Sequence, residues 1–159
     1  MAANQYYGDL ANTASADKYF TFWLNGQQFA VPIGNVVQIV GLPPLTPIPE
    51  APYYMKGIMN IRGALIPTID LRAKFSMEET EHDERTSVII INVQDKQISI
   101  IVDDVSEVAN IPRDEYARDE SAVNGYMSEY ITHLSIHNKR IIIHLDPVKL
   151  FADDVLQYV

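Results

Sequence analysis

Apolar and polar positions alternate along this chain in short runs broken by turn residues, which is the period of half-buried β-strands. Residues 19–24 are aromatic and β-branched and stop at Asn25-Gly26, a pair that tolerates positive φ at both positions. That predicts a hairpin with its return strand over residues 28–33, and residues 36–40 predict a third strand. A proline-rich run follows, in which Pro43, Pro44, Pro47, Pro49 and Pro52 remove backbone donors, so it cannot be a central strand or a helix. Residues 54–61 read as a short helix or strand, 64–71 as a strand and 72–75 as a closing turn. After a charged, non-periodic stretch the alternation resumes over residues 87–93, 97–102 and 105–111. A polar region over 112–121 interrupts it, and two more strands, 131–136 and 139–145, flank a turn at His137-Asn138. Nothing has the period of a long amphipathic helix, and roughly ten short strands are the number expected of a sandwich or of paired small barrels.

The two halves resemble each other. A shift of 69 positions, from Gln28 to Gln97, places Phe29 on Ile98, Val31 on Ile100, Val36 on Val105, Gln38 on Glu107 and Ile39 on Val108. The Asn25-Gly26 turn falls on Gln94-Asp95. Further on, a shift of 76, from Asp70 to Asp146, lays residues 69–75 over 145–151, with Phe75 on Phe151. Agreement of apolar pattern, turns and half-ends in order points to a duplication. Each half would be a curled five-stranded sheet with a marginal core of its own, so the two are expected to share one. The expected organisation is a tail over 1–17, a single domain over 18–152 and a tail over 153–159. Within the domain, lobe one covers about 18–75, a linker about 76–86 and lobe two about 87–152, with terminal strands free to exchange between lobes.

Composition narrows the functions open to such a fold. The net charge of −9 disfavours nucleic acid and anionic membrane surfaces as partners. With no cysteine, disulfides, thiolate chemistry and cysteine-bound zinc are excluded, which fits a cytoplasmic location. The first residues lack the basic start and apolar core of a signal peptide, and no apolar run is long enough to insert in a bilayer.

No catalytic constellation emerges. His133 lies on a predicted strand and His137 at the turn that ends it, and residues four apart in a strand are separated by about 13 Å, too far to share an ion. His144 alternates with apolar neighbours and reads as a satisfied or edge histidine. Asp103-Asp104 and Asp153-Asp154 are adjacent pairs whose members point apart in a strand, and the first reads as a turn. No phosphate-binding glycine loop and no nucleophile elbow is present, so neither an enzyme, a metal site nor a cofactor is expected. Arg62 stands out, bracketed by Gly57 and Gly63: its five donors suit a structural clamp or a recognition contact. Asn60, Gly57, Gly63, Asp70 and Asp103 are expected at structural turns, the two glycines for positive φ or close backbone approach.

The string MNIRGALIPTIDLR, residues 59–72, resembles the most diagnostic segment of CheW-like domains, and ISIIVDDVSEV, residues 98–108, resembles their second-half segment. The likeness runs from about Lys18 to Phe151. It implies two intertwined, pseudo-symmetric SH3-like five-stranded barrels around a common core, with few helical turns, acting as a stand-alone adaptor. The implied partners are the cytoplasmic tip of methyl-accepting chemoreceptors and the regulatory domain of the histidine kinase CheA. Carried over by position, the receptor-facing groove comprises Val36, Gln38, Ile39, Arg62, Val105 and Val108. The kinase-facing surface comprises Leu42, Pro43, Leu45 and Ile48. The family often has glutamate at the place of Gln38 and glycine at that of Ser99. A related scaffold serving pilus motility or a second-messenger pathway is the alternative reading, and core packing is the alternative role for Val36, Ile39, Val105 and Val108.

Overall fold

The computed structural model describes residues 17–117 and 126–151, so the tail over 1–16, the region 118–125 and the residues after 151 lie outside the description. Its strands are β1 (Lys18–Leu24), β2 (Gln27–Pro32), β3 (Val36–Gly41), β4 (Met55–Ile61), β5 (Ala64–Asp70), β6 (Ser87–Val93), β7 (Lys96–Val102), β8 (Asp104–Asn110), β9 (Ile131–His137) and β10 (Arg140–Leu145). Two one-turn helices follow the fifth and tenth strands, α1 (Leu71–Lys74) and α2 (Pro147–Leu150). The segment at 54–61, open between helix and strand in the sequence, is β4, and the turn placed at His137-Asn138 is Asn138-Lys139 (φ 51° and 65°), with His137 closing β9.

The strands form two five-stranded sheets in the orders β8-β1-β2-β10-β9 and β3-β6-β7-β5-β4. The sheets therefore do not divide at residues 76–86. Each combines the hairpin of one half with the last three strands of the other, so strand exchange involves three strands of every half rather than only terminal ones. The halves join through parallel pairings of β2 with β10 and of β7 with β5, and through antiparallel pairings of β1 with β8 and of β6 with β3. Neither half can close its sheet without the other, which lets two marginal cores stabilise each other.

The repeat extends to local geometry. Tyr19 pairs Pro32 in the first hairpin, and Val88 pairs Ile101 at the same register in its counterpart. Register breaks fall at Val36/Gln38 against β6 and at Phe20/Phe22 against β8, bending β3 and β8 alike. Asp70 and Asp146 cap α1 and α2 by accepting the N–H two residues on, at 3.0 and 2.9 Å. All four hairpin turns place two consecutive residues at positive φ: Asn25-Gly26, Arg62-Gly63, Gln94-Asp95 and Asn138-Lys139. This is the turn whose twist matches paired strands.

Alternation along the strands sorts side chains between cores. On β1, β2, β6 and β7 one face sends Phe20, Phe22, Phe29, Val31, Ile89, Ile91, Ile98 and Ile100 into a single large cluster between the sheets. The other faces form two smaller cores, one around Tyr19, Ala30, Ala109, Ile111 and Ile142, the other around Met59, Ile66, Val88, Ile90 and Ile101. An aromatic chain crosses the shared core, from Phe22 to Phe29 (5.9 Å between centroids), Phe75 (6.0 Å) and Tyr130 (5.7 Å). Among the described residues no helix is long and apolar enough to cross a membrane.

Candidate partner-binding site

β3 and β8 are edge strands, one in each sheet, and occupy equivalent positions in the repeat. An edge strand offers unpaired backbone groups along one side. Val36 and Ile39 of β3 are 2% and 7% exposed and belong to the shared core, while Val105 and Val108 of β8 pack against that core and remain partly exposed. Gln38 is partly exposed between the two buried β3 positions. Core packing thus accounts for Val36 and Ile39 in this conformation, and of the expected groove residues on these strands Gln38, Val105 and Val108 are the ones that reach the surface.

Arg62 sits apart from that row, as the first central residue of the β4–β5 turn, with φ 54°. The turn is braced by Asn60, whose Oδ1 accepts the Gly63 N–H at 2.9 Å. The guanidinium is exposed, and no carboxylate pairs with it among the described residues. Among the described residues nothing takes up its donors, so the clamp role finds no support there, and Arg62 is presented outward on a fixed turn. Its neighbour Ile61 packs on the same small core as Val37 and Val40 of β3, so curling of the sheet brings the β4 end toward the β3 edge.

The proline-rich loop after β3 is anchored rather than loose. Thr46 exchanges two backbone hydrogen bonds with Ile58 of β4, at 2.9 and 2.8 Å. Leu42 and Leu45 pack on the second small core and Ile48 on the shared core, while Pro43 is partly exposed. Gly57 makes this docking possible. It lies inside β4, next to a register break, rather than at a turn, and a Cβ there would meet the Thr46 carbonyl oxygen at 2.6 Å. The close approach of two backbones, at φ 150°, is what requires glycine.

A second anchor joins the halves. Arg72 Nε and Nη2 donate to Asp103 Oδ1 and Oδ2 at 2.7 and 2.6 Å, and Arg72 Nη1 donates to the Glu78 carbonyl at 2.8 Å. The same carboxylate accepts the Asn25 N–H at 2.8 Å, so it ties α1, the β1–β2 turn and the β7–β8 connection together. Burial pushes the Asp103 carboxyl up, but the guanidinium and the backbone N–H outweigh it and its pKa lies below the ordinary value. Sequence reasoning missed this pair, although Arg72 and Asp103 stand in the two strings that carry the family likeness.

It also misjudged His144, which is neither on an edge nor satisfied. β10 lies between β2 and β9, the ring is 1% exposed, Nε2 shares a 2.8 Å hydrogen bond with Ser135 Oγ and Nδ1 has no partner. The Ser135–His144 contact has the form of a nucleophile and its base, but Ser135 is fully buried, which keeps substrate from the hydroxyl, and among the described residues no carboxylate orients the ring. Among the described residues no three histidine or carboxylate groups gather to hold a metal ion.

Comparison with known proteins agrees with this geometry. The family model of the CheW-like domain matches residues 18–155. Chemotaxis protein CheW of Klebsiella aerogenes is 30% identical over 159 residues, covering 100% of this chain and 96% of the relative. Protein PilI of Pseudomonas aeruginosa is 26% identical over 110 residues, covering 69% of this chain and 62% of the relative. The crystal structure of the scaffolding protein TtCheW from Thermoanaerobacter tengcongensis matches with a TM-score of 0.79 at 26% identity, covering 87% of this chain and 94% of that one.

Proposed function

Because this chain belongs to the CheW-like domain family, we propose that it is a cytoplasmic, non-catalytic adaptor that couples chemoreceptor tips to the regulatory domain of CheA. The observation that carries the reading is Arg62. A guanidinium without a partner among the described residues, held outward on a rigid turn, is suited to charge-assisted hydrogen bonds with a partner. The row of Gln38, Val105 and Val108 would take the apolar side of a receptor helix. The anchored loop carrying Leu42, Pro43, Leu45 and Ile48 would present a preformed surface to the kinase, at little ordering cost. Two surfaces on one body joined by a shared core are what an adaptor needs. Recruitment to membrane-associated arrays would then come through the receptor.

The test is Arg62→Glu, with Gln38→Lys as a second probe. Both side chains lie outside the core, so the variants should fold, whereas a charge at the buried Val36 would test stability instead. Pull-down with a receptor cytoplasmic fragment should weaken about tenfold or more for Arg62→Glu, the scale of one lost charge-assisted hydrogen bond. Capture of the CheA regulatory domain should be unchanged. Undiminished receptor binding by both variants would remove the groove from this surface. Likeness to a relative with a different name, protein PilI, supports a second reading: the same scaffold in a non-flagellar pathway with other receptors. Under it, the chain would bind neither partner of the first reading while remaining folded.

A further inference from the structure

The small core of the β8-β1-β2-β10-β9 barrel is built around two imidazoles. His133 and His144 stack with centroids 3.9 Å apart and an interplanar angle of 24°. Tyr116 stacks on the outer side of His133 at 3.8 Å, and Tyr19 meets His144 edge-on at 4.5 Å. The two phenols share a 2.6 Å hydrogen bond, which closes the ring of aromatic groups. Each imidazole has one partner, Thr132 Oγ1 for His133 Nδ1 and Ser135 Oγ for His144 Nε2. The remaining nitrogens, His133 Nε2 and His144 Nδ1, are buried without a partner among the described residues.

Around the stack, β1 contributes Tyr19, with Asp17 before it; the segment after β8 contributes Arg113, Glu115 and Tyr116; β9 contributes His137; and Asp146 lines the adjoining surface pocket with both imidazoles. Glu115 is taken by His137, at 2.6 Å, and no carboxylate pairs with His133 or His144 among the described residues. A proton added to either ring would sit in the aromatic stack 3.9 Å from a second imidazole, with no carboxylate among the described residues paired to neutralise it.

The other barrel lacks this device. By the shift of 76 that relates the halves, His144 corresponds to Thr68 and His133 to Gly57. Thr68 Oγ1 there accepts from Ser99 Oγ at 2.9 Å, a pair that does not titrate.

We propose that the His133–His144 stack makes the β8-β1-β2-β10-β9 barrel an acid-sensitive element: acidification loosens this barrel, and with it edge strand β8, while the other barrel stays closed. Burial lowers both imidazoles, His144 from 6.5 to about 3 with some help from His133. The opened chain therefore takes up protons that the closed barrel refuses. The contribution of the stack is present above about pH 6.5 and lost progressively as pH falls toward 3.

Hydrogen exchange on the whole chain between pH 7.5 and 4.5, corrected for intrinsic rates, tests this. Amide protection in β9, β10 and residues 111–117 should fall about tenfold per pH unit below pH 6 for each proton taken up, with little change in β4 and β5. Ala30→Ser/His144→Thr, which copies the Ser99–Thr68 pair, and His133→Gln should each flatten that dependence. Histidine ring resonances of the unaltered protein provide a readout that needs no variant: the His144 ring should show no titration between pH 7.5 and 5.5 while the barrel is closed. Equal loss of protection in both barrels, or titration of His144 near its ordinary value in the folded protein, would overturn the proposal.

Discussion

Asp103 illustrates how much one side chain can organise. Its two oxygens serve Arg72 in a bidentate pair and also accept the Asn25 N–H, in a site where the two side chains are 30% and 14% exposed. Partial burial and matched fork geometry put this pair above the ordinary surface ion pair. Replacing Arg72 with Met should cost about 2 kcal/mol at pH 7, read as a lower urea midpoint with unchanged slope. The pH dependence has a definite sign. A carboxyl held below its unfolded value stabilises the fold above about pH 4 and loses that contribution as the solution is acidified further. Arg72→Met should therefore be closest to the parent protein in the most acidic buffers in which both still fold. Equal destabilisation at every pH would mean that the lost packing of the arginine stem, not the ion pair, is what matters.

At the level of elements, the two glycines near Arg62 do different work. Gly63, at φ 88°, faces open space, with no atom within 4 Å of where a methyl would stand, so alanine there costs only the strain of positive φ, about 1 kcal/mol. Gly57 lies where a methyl would strike the Thr46 carbonyl, and the backbone cannot retreat without breaking the bridge to Ile58. Gly57→Ala should cost at least about 2 kcal/mol and lift the proline-rich loop, measured as lower thermal stability together with weaker capture of the CheA domain. A variant as stable as Gly63→Ala would show that the loop yields easily. Strands, hairpin turns and the duplication were legible in the chain because side-chain alternation and turn chemistry are local. The crossed pairing of the halves was not, since alternation says which face a residue takes and nothing about which strand lies beside it. For the same reason Gly57 could be marked as special but not placed: its reason is a segment twelve residues away in sequence (Leu45 to Gly57) that folds back on it. The imidazole stack escaped notice because single histidines on apolar strands carry no pairing signal.

For the molecule as a whole, the reciprocal exchange of strands predicts one folding unit. The shared core draws on both sheets, and Phe29, fully buried, contacts Phe22 and Phe75 within it. Phe29→Ala should cost about 3–5 kcal/mol and lower a single cooperative transition at neutral pH, with both barrels melting together. Two separated transitions would mean that the barrels are independent. The same architecture underlies the adaptor reading, because an edge strand from each half and an anchored loop are fixed to one core. Of the candidate site, the sequence and its family likeness picked out positions that lie on the two edges, the loop and the β4–β5 turn, but could not tell that Val36 and Ile39 are turned inward while Arg62 is exposed.

The adaptor reading is tested most directly by sedimentation velocity of a receptor cytoplasmic fragment and a CheA regulatory domain, each labelled with a different dye, with and without this protein. Both dyes are expected to move in one faster boundary only when the protein is added, and Arg62→Glu is expected to release the receptor dye while the kinase dye stays bound. If the folded protein leaves the two dyes in separate boundaries, coupling of receptor to kinase is not its function.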